Sequence, residues 1–221
     1  MPIKALLFDL DGVIVDTAIY HYQAWRRMAN TLGFDISEEF NEQLKGISRT
    51  ESLEIILAHG GKTVSEEQKL ELATRKNEWY LELVSQMTPA NILPGVPAFF
   101  EAVKAAQLKT ALGSVSKNAR LILERIGMLD DFDAIIDGTK ITRGKPDPEV
   151  FLKGAAELGA QPDECVVFED AVAGIEAAKR GDMLAIGIGD PTVLTQADLV
   201  VPSLAQLTLE RVLTLSAVGR P

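Results

Sequence analysis

Cysteine and histidine are scarce in this sequence, whose 221 residues include one cysteine and two histidines. The single thiol of Cys165 cannot form an internal disulfide, and with two imidazoles it does not provide the ligand spacing of a structural zinc site. Because Cys165 lies inside an apolar run, we interpret it as a small buried side chain. These scarcities indicate a reducing compartment, and we expect a cytoplasmic protein.

Positive charge is also in deficit, with 22 Lys and Arg against 32 Asp and Glu and a formal net charge of −10. Nonspecific binding of nucleic acid requires clustered Lys and Arg, so this balance argues against a nucleic-acid partner. An anionic small ligand remains compatible with it, because a local group of cations can hold such a ligand inside an acidic protein.

Long hydrophobic runs are missing as well. The uninterrupted apolar runs are too short to span a bilayer, and no basic segment followed by a long apolar stretch opens the sequence. We therefore expect neither a membrane partner nor a signal peptide. No heptad pattern is sustained along the sequence, which favours a monomer.

The sequence does contain short, mostly apolar runs that alternate with stretches of helical periodicity. The runs are residues 2–8, 110–113, 134–136, 165–168 and 184–188. Strands that alternate with helices of this length favour a parallel sheet that is covered on both faces. The pattern predicts an α/β fold with a Rossmann-like parallel sheet core and helices on both faces. One of these helices is expected to have Pro148 in its first turn.

The interval that follows the first strand has helical periodicity only. Ser48 with Glu51 and Ser65 with Gln68 both match the capping box that opens a helix. We therefore predict an all-helical cap of four helices, inserted after the first strand. The predicted domains are an α/β core of residues 1–15 and 88–221 and a helical cap of residues 16–87.

Acidic, hydroxyl and cationic side chains follow the predicted strands. They are Asp9, Asp11, Ser114, Lys145, Glu169 and Asp170. Ligands of open parallel sheets bind beyond the carboxyl ends of the strands, so we expect these groups to converge on one crevice. Taken singly, each has an ordinary structural interpretation, since Asp-x-Asp pairs cap turns and isolated lysines are usually solvated. Together they favour a phosphoryl-transfer site.

The chemistry of such a site assigns a role to each group. The ionised carboxylate of Asp9 can attack phosphorus and form an acyl phosphate. Mg²⁺ held by hard oxygen ligands, together with the Lys145 ammonium, would offset the repulsion between this carboxylate and the phosphate. Asp11 can act as general acid and base, and Ser114 with the following backbone amides can bind phosphoryl oxygens.

These motifs resemble, in order, the four motifs of the haloacid dehalogenase superfamily: residues 8–13 (FDLDGV), the strand that ends at Ser114, the loop around Lys145, and Glu169-Asp170. The resemblance implies an α/β core with a small helical cap. It further implies that Mg²⁺ is bound by the side chains of Asp9, Glu169 and Asp170 and by the backbone carbonyl of Asp11.

Further residues resemble the beta-phosphoglucomutase family within that superfamily, namely Asp16-Thr17 with His21 and Trp25, residues 44–49 with Ser52, and residues 114–118. The implied substrate-binding residues are Thr17, His21, Trp25, Lys45, Gly46, Arg49, Ser52, Val115, Ser116, Lys117 and Asn118. Among them, Arg49 and residues 116–118 would hold the phosphate that is not being transferred. Lys45, Gly46 and His21 would meet the sugar or position the general acid. Val115 departs from the family, which commonly has a smaller residue there.

The resemblance implies an isomerase that interconverts beta-D-glucose 1-phosphate and glucose 6-phosphate. The expected intermediates are an aspartyl phosphate and beta-glucose 1,6-bisphosphate, and a hexose bisphosphate is the expected primer. Alternatives are a Mg²⁺-dependent sugar-phosphate phosphatase with the same Asp9 chemistry and a noncatalytic phosphosugar-binding module. The anomer and the choice between a monosaccharide and a disaccharide phosphate remain open, as does packing of Trp25 against Met28 instead of substrate.

Overall fold

A parallel β-sheet forms the centre of the chain in the computed structural model, which describes residues 2–215. Its six strands are Ala5–Phe8 (β1), Lys109–Gly113 (β2), Ala134–Ile136 (β3), Cys165–Glu169 (β4), Leu184–Ile188 (β5) and Leu199–Val201 (β6). The strand order is β3-β2-β1-β4-β5-β6, and every pair of neighbours is parallel. The two central strands, β1 and β4, are therefore those that end at Asp9 and at Glu169-Asp170.

Helices cover both faces of the sheet and also form the segment between β1 and β2. Their bounds are Ala18–Thr31 (α1), Glu38–Glu42 (α2), Arg49–His59 (α3), Glu66–Val84 (α4), Val96–Ala105 (α5), Ala119–Ile126 (α6), Glu149–Leu158 (α7), Val172–Arg180 (α8) and Leu209–Leu215 (α9). Alternate residues of β1 point to opposite faces. Phe8 packs with the phenylalanines of α5 on one face, and Leu7 packs with Phe151 of α7 on the other. This arrangement confirms the predicted fold class.

Three local details differ from the expectations. Strand β6 was not predicted, because it has three residues and two of them, Leu199 and Val200, are only partly buried. Strand β1 begins at Ala5, although the apolar run starts earlier. Pro148 is the N-cap of α7, so it precedes the first turn of that helix.

Four helices, α1 to α4, occupy the interval predicted to form the cap, and both expected capping boxes are present at the starts of α3 and α4. These helices share a separate hydrophobic cluster that includes Trp25, Met28 and Ile56. Tyr80 and Val84 of α4 join the core cluster instead, so the end of α4 is fixed to the core. The exact domain boundaries stay a prediction. Within residues 2–215, no helix combines the length and the apolar character that crossing a membrane requires.

Phe8 is at the centre of an aromatic cluster, and its truncation is expected to destabilise the fold. Its ring stacks on Phe168 at a centroid distance of 4.5 Å and lies 4.8 Å from the ring of Phe100. We expect Phe8→Ala to lower the free energy of unfolding by about 3–5 kcal/mol, because the cavity left behind cannot fully collapse. Phe8→Leu should lower the free energy of unfolding by clearly less. Urea denaturation measures both values, and an equal loss in the two variants would contradict this packing.

Candidate active site

A buried lysine joins two of the predicted acidic residues. The Lys145 Nζ atom lies 2.5 Å from Oδ1 of Asp9 and 2.6 Å from Oε1 of Glu169. The side chains of Lys145 and Glu169 are both fully buried. Burial by itself would lower the pKa of the Lys145 ammonium, but the two carboxylates outweigh this effect and hold the pKa above its usual value. The lysine therefore remains charged beside Asp9.

Asp9, Glu169 and Asp170 form a group that fits a metal ion. Each offers a carboxylate oxygen, and these oxygens all lie within 4.8 Å of one another. Burial raises the pKa of Glu169 to about 7, while burial together with Glu169 and Asp9 raises the pKa of Asp170 well above its usual value. The three close carboxylates outnumber the one lysine buried among them, and hard carboxylate oxygens are the ligands that Mg²⁺ prefers. The residues therefore fit a divalent cation.

Two glycines make room for this acidic pair. A Cβ atom at Gly174, in α8, would lie 1.9 Å from Oε1 of Glu169, and one at Gly12 would lie 2.1 Å from Oδ2 of Asp170. Neither carboxylate could keep its position beside a larger residue. Glycine in the loop after β1 and in the first turn of α8 therefore leaves the space that these two carboxylates occupy.

Asp11 is held by a hydrogen-bonded chain that reaches into the cap. The hydroxyl of Thr17 donates to Oδ1 of Asp11, and the Tyr80 hydroxyl donates to Oγ1 of Thr17 over 3.2 Å. Burial and the neighbouring Asp9 raise the pKa of Asp11 to about 7. A carboxyl with this pKa exchanges a proton readily near neutral pH. Thr17 is completely buried and does not line the cleft, so the structure places it behind Asp11 and not at the predicted substrate surface.

A cavity of about 860 Å³ lies between the cap helices and the carboxyl edge of the sheet. Besides the acidic residues Asp9, Asp11 and Asp170, the predicted site residues that line it are His21, Trp25, Lys45, Gly46, Arg49, Ser52, Ser114, Val115, Ser116, Lys117 and Asn118. Of the predicted set, only Thr17, Lys145 and Glu169 do not line it. Both Lys145 and Glu169 are buried behind the cleft, where Lys145 pairs with Asp9 and with Glu169.

The cap lies close against the core at the rim of this cleft. Nζ of Lys45 is 3.8 Å from Oδ2 of Asp170 and also pairs with Glu42 at 2.7 Å. Gly46 has a φ of 74°, and a Cβ atom there would lie 3.2 Å from Cβ of Ala171. A bulkier residue at Gly46 would push the cap loop away from the metal ligands.

Residues 114–118, which precede α6, form a turn at the predicted phosphate-binding loop. The backbone N–H of Ser116 donates to Oγ of Ser114 over 3.2 Å, and that of Asn118 donates to Oγ of Ser116 over 3.2 Å. Val115 is half-buried beside Gly138, where a Cβ atom would lie 2.2 Å from the Val115 carbonyl oxygen. Val115 lines the cleft, and its effect on the phosphate stays a prediction.

Lys76 of α4, which was not predicted as a site residue, is almost completely buried. Its Nζ lies 2.8 Å from Nδ1 of His21 and 4.4 Å from the ring centroid of Trp25. Burial, Lys76 and Arg49 lower the pKa of His21 well below its usual value, which keeps the imidazole neutral. Lys76 stands in a charged segment that looks solvated. Its spacing with Ala73 and Tyr80, three residues before and four after, is the signal that places it on the buried face.

Asn41 of α2 was also missed. It is buried and lines the cleft, and its Oδ1 is the one buried side-chain oxygen without a hydrogen-bond partner in the described residues. Asparagine in a short, polar segment gives no sequence signal for such a position.

Glu149 holds the loop that precedes Lys145. Its carboxylate accepts hydrogen bonds from the backbone N–H groups of Thr142 and Arg143 and from Nζ of Lys153, at 2.6–3.2 Å. The Lys153 ammonium and the Arg143 backbone N–H lower the pKa of Glu149 to about 2. The carboxylate therefore fastens this loop to the first turn of α7.

Replacement of Glu149 is expected to destabilise the protein in a pH-dependent way. Because the pKa is lower in the folded state, the stabilisation is complete above about pH 5 and is lost as the pH falls toward 2. The difference in unfolding free energy between wild type and Glu149→Gln should therefore shrink as acid is added. Glu157→Gln is the control, because Glu157 lies on the same helix as Glu149 and forms an exposed pair with Lys140. Its replacement should change the free energy of unfolding little at any pH. A Glu149→Gln deficit that grows in acid would contradict this account.

Gly174→Ala is expected to destabilise the protein, although alanine is the better helix former by about 1 kcal/mol. The added Cβ would displace the Glu169 carboxylate from Lys145. We expect a lower free energy of unfolding in urea and weaker Mg²⁺ binding in calorimetry. A more stable variant with unaltered Mg²⁺ affinity would show that Glu169 does not occupy this position.

Comparison with known proteins assigns the chain to a family. Residues 3–182 match the family model described as haloacid dehalogenase-like hydrolase. The chain is 46% identical over 209 residues to a beta-phosphoglucomutase of Bacillus subtilis (strain 168), covering 94% of this chain and 92% of that protein. It is 35% identical over 180 residues to a phosphorylated carbohydrates phosphatase of Thermotoga maritima, with 80% of each chain covered.

A solved structure agrees with the sequence comparison. The crystal structure of a beta-phosphoglucomutase from Clostridium difficile superposes with a TM-score of 0.94 at 45% identity, covering 97% of both chains. The matching regions include both the sheet core and the four-helix cap interval, since almost the whole chain is covered. By its family model and by these identities, the chain belongs to the haloacid dehalogenase-like hydrolases.

Proposed function

We propose that this protein is a beta-phosphoglucomutase, an isomerase that interconverts beta-D-glucose 1-phosphate and glucose 6-phosphate. The identity of 46% over 94% of the chain to the Bacillus subtilis enzyme is the observation that supports this function best. The lining of the cleft supports this function, because Arg49 and residues 116–118 line the same cavity as Asp9. A mutase needs such a second set of donors, because its bisphosphate intermediate carries a phosphate that is not reacting.

Asp9 is the proposed nucleophile. One carboxylate oxygen of Asp9 attacks phosphorus, the bond from phosphorus to the sugar oxygen breaks, and an aspartyl phosphate results. Asp11 donates a proton to the leaving sugar oxygen and takes one from the attacking hydroxyl in the reverse step, a task suited to its pKa of about 7. Lys145 stays charged and holds Asp9 in place.

Mg²⁺ is the proposed cofactor, held by the side chains of Asp9, Glu169 and Asp170 and, as the family resemblance implies, by the backbone carbonyl of Asp11. When bound, the cation offsets the negative charge of the phosphoryl group during transfer. The chain's own residues supply the rest of the neutralisation. Lys145 offsets the charge of Asp9, and Lys45 lies on the cap side of Asp170.

The second half-reaction requires the bisphosphate to remain in the cleft and to turn over. Arg49, with Ser116, Lys117 and Asn118, is proposed to hold the phosphate that is not reacting. Water must be excluded meanwhile, because an acyl phosphate open to solvent is hydrolysed. A hexose bisphosphate is the proposed primer that phosphorylates Asp9. Action as a monomer in the cytoplasm stays a prediction.

A sugar-phosphate phosphatase is the second candidate, and the Thermotoga maritima relative favours it. It would use the same Asp9 chemistry with water as the acceptor. The two functions differ in the fate of the phosphoryl group, which phosphorus NMR follows directly.

Incubation with beta-glucose 1-phosphate, Mg²⁺ and a trace of beta-glucose 1,6-bisphosphate should give glucose 6-phosphate as the main product. We expect Arg49→Ala to raise KM about tenfold or more, because a bidentate phosphate contact is lost. Arg75→Ala is the control, since Arg75 pairs with Glu71 on the exposed side of α4 and should retain the wild-type KM. Inorganic phosphate as the main product, or equal KM values for the two variants, would contradict the mutase assignment.

A further inference from the structure

We propose that Asn77, on cap helix α4, is a positioning residue for the phosphate that is not transferred, and that it acts by orienting the side-chain amide of Asn118. This inference rests on the proposed function, in which Asn118 belongs to the second phosphate set. It adds a cap residue to that set without requiring Asn77 to touch the phosphate.

The supporting contact joins the cap to the core across the cleft. Nδ2 of Asn118 donates a hydrogen bond to Oδ1 of Asn77 over 2.8 Å. Both residues line the cavity that holds Asp9, and both are half-buried. The bond therefore lies in the wall of the cleft, where a bound phosphate would meet the free face of the Asn118 amide.

The orientation of a side-chain amide decides whether it attracts or repels an anion. Its nitrogen end has two N–H donors, whereas its oxygen end has lone pairs only. Because Oδ1 of Asn77 accepts the bond, the nitrogen end of Asn118 is the end held at this position. One N–H group is used by Asn77, and the second remains for a phosphate oxygen. Without Asn77, the amide is free to turn its carbonyl oxygen toward the phosphate.

The rest of Asn118 is already fixed by the core. Its backbone N–H donates to Oγ of Ser116, which sets the main chain at the start of α6. Rotation of the side-chain amide is the freedom that this bond does not remove. Asn77 stands on a helix whose neighbouring residues Lys76 and Tyr80 are buried, so its own position along the cleft is well defined.

The bond also links phosphate recognition to the position of the cap. Asn77 belongs to α4, inserted between β1 and β2, whereas Asn118 precedes α6 of the core. Movement of the cap away from the core would break this contact. The second phosphate site therefore has its full donor set only when the cap covers the cleft, which is the state that excludes water from the aspartyl phosphate.

A double-mutant cycle between the two asparagines tests the proposal. Asn77→Ala, Asn118→Ala and the double variant are compared in mutase kinetics and in the Kd of glucose 6-phosphate, measured by calorimetry. We expect Asn77→Ala to raise KM and Kd about tenfold, with less than a twofold change in kcat. In the Asn118→Ala background the same substitution should add less than twofold, because the amide that it orients is gone.

Two controls separate this role from a structural one. Arg75→Ala removes a side chain two residues earlier on α4 that pairs with Glu71 on the exposed side and does not line the cleft, and it should retain the wild-type KM and Kd. Asn77→Ser is a second variant with a side chain too short to reach Asn118, and it should repeat the Asn77→Ala result. Thermal unfolding of each variant verifies that the fold is intact.

The proposal is overturned if Asn77→Ala leaves KM and Kd at the wild-type values, or if it raises them equally in both backgrounds. Failure of the proposed function has a different signature. A wild type that binds glucose 6-phosphate but converts beta-glucose 1-phosphate only to inorganic phosphate would refute the mutase, while the Kd cycle would still decide the role of Asn77.

Discussion

The buried ammonium of Lys145 between Asp9 and Glu169 is the interaction on which the rest of the site depends. Removing three charged groups from water is costly, and the arrangement persists because each charge is paired at 2.5–2.6 Å. One positive charge does not balance the full acidic cluster, however. Burial and the neighbouring carboxylates raise the pKa values of Glu169 and Asp170, and a bound divalent cation would relieve this crowding of acidic groups.

The order of the strands brings the acidic groups together at one edge of the sheet. The cap then adds the cationic side chains that this acidic edge lacks. Strands β1 and β4 are neighbours in the sheet, so their carboxyl ends bring Asp9 and Glu169 together. Arg49 and Lys45 come from the cap and bring positive charge to the opposite wall of the cleft, whereas burial and the nearby Arg49 lower the pKa of Lys76 well below its usual value. An acidic protein thereby has local positive charge that can meet an anionic ligand.

Much of this arrangement could be predicted from the sequence, because buried parallel strands, capping boxes and strand-end carboxylates each have a local signature. Thr17 and Lys76 show where such prediction stops. The sequence does not reveal that the Thr17 hydroxyl faces Asp11 instead of the cleft, since that depends on how α1 packs on α4. Lys76 looks solvated until Tyr80 is known to be buried beside it. The contact between Asn77 and Asn118 depends on where the cap rests, which no local pattern encodes.

The central claim is that Asp9 carries the phosphoryl group. Its most direct test is mass spectrometry of peptides from protein quenched in acid during turnover with beta-glucose 1,6-bisphosphate. We expect a phosphorylated peptide modified at Asp9 in the wild type and no such peptide in Asp9→Asn. A phosphoryl group on any other residue, or an equal yield from Asp9→Asn, would contradict it.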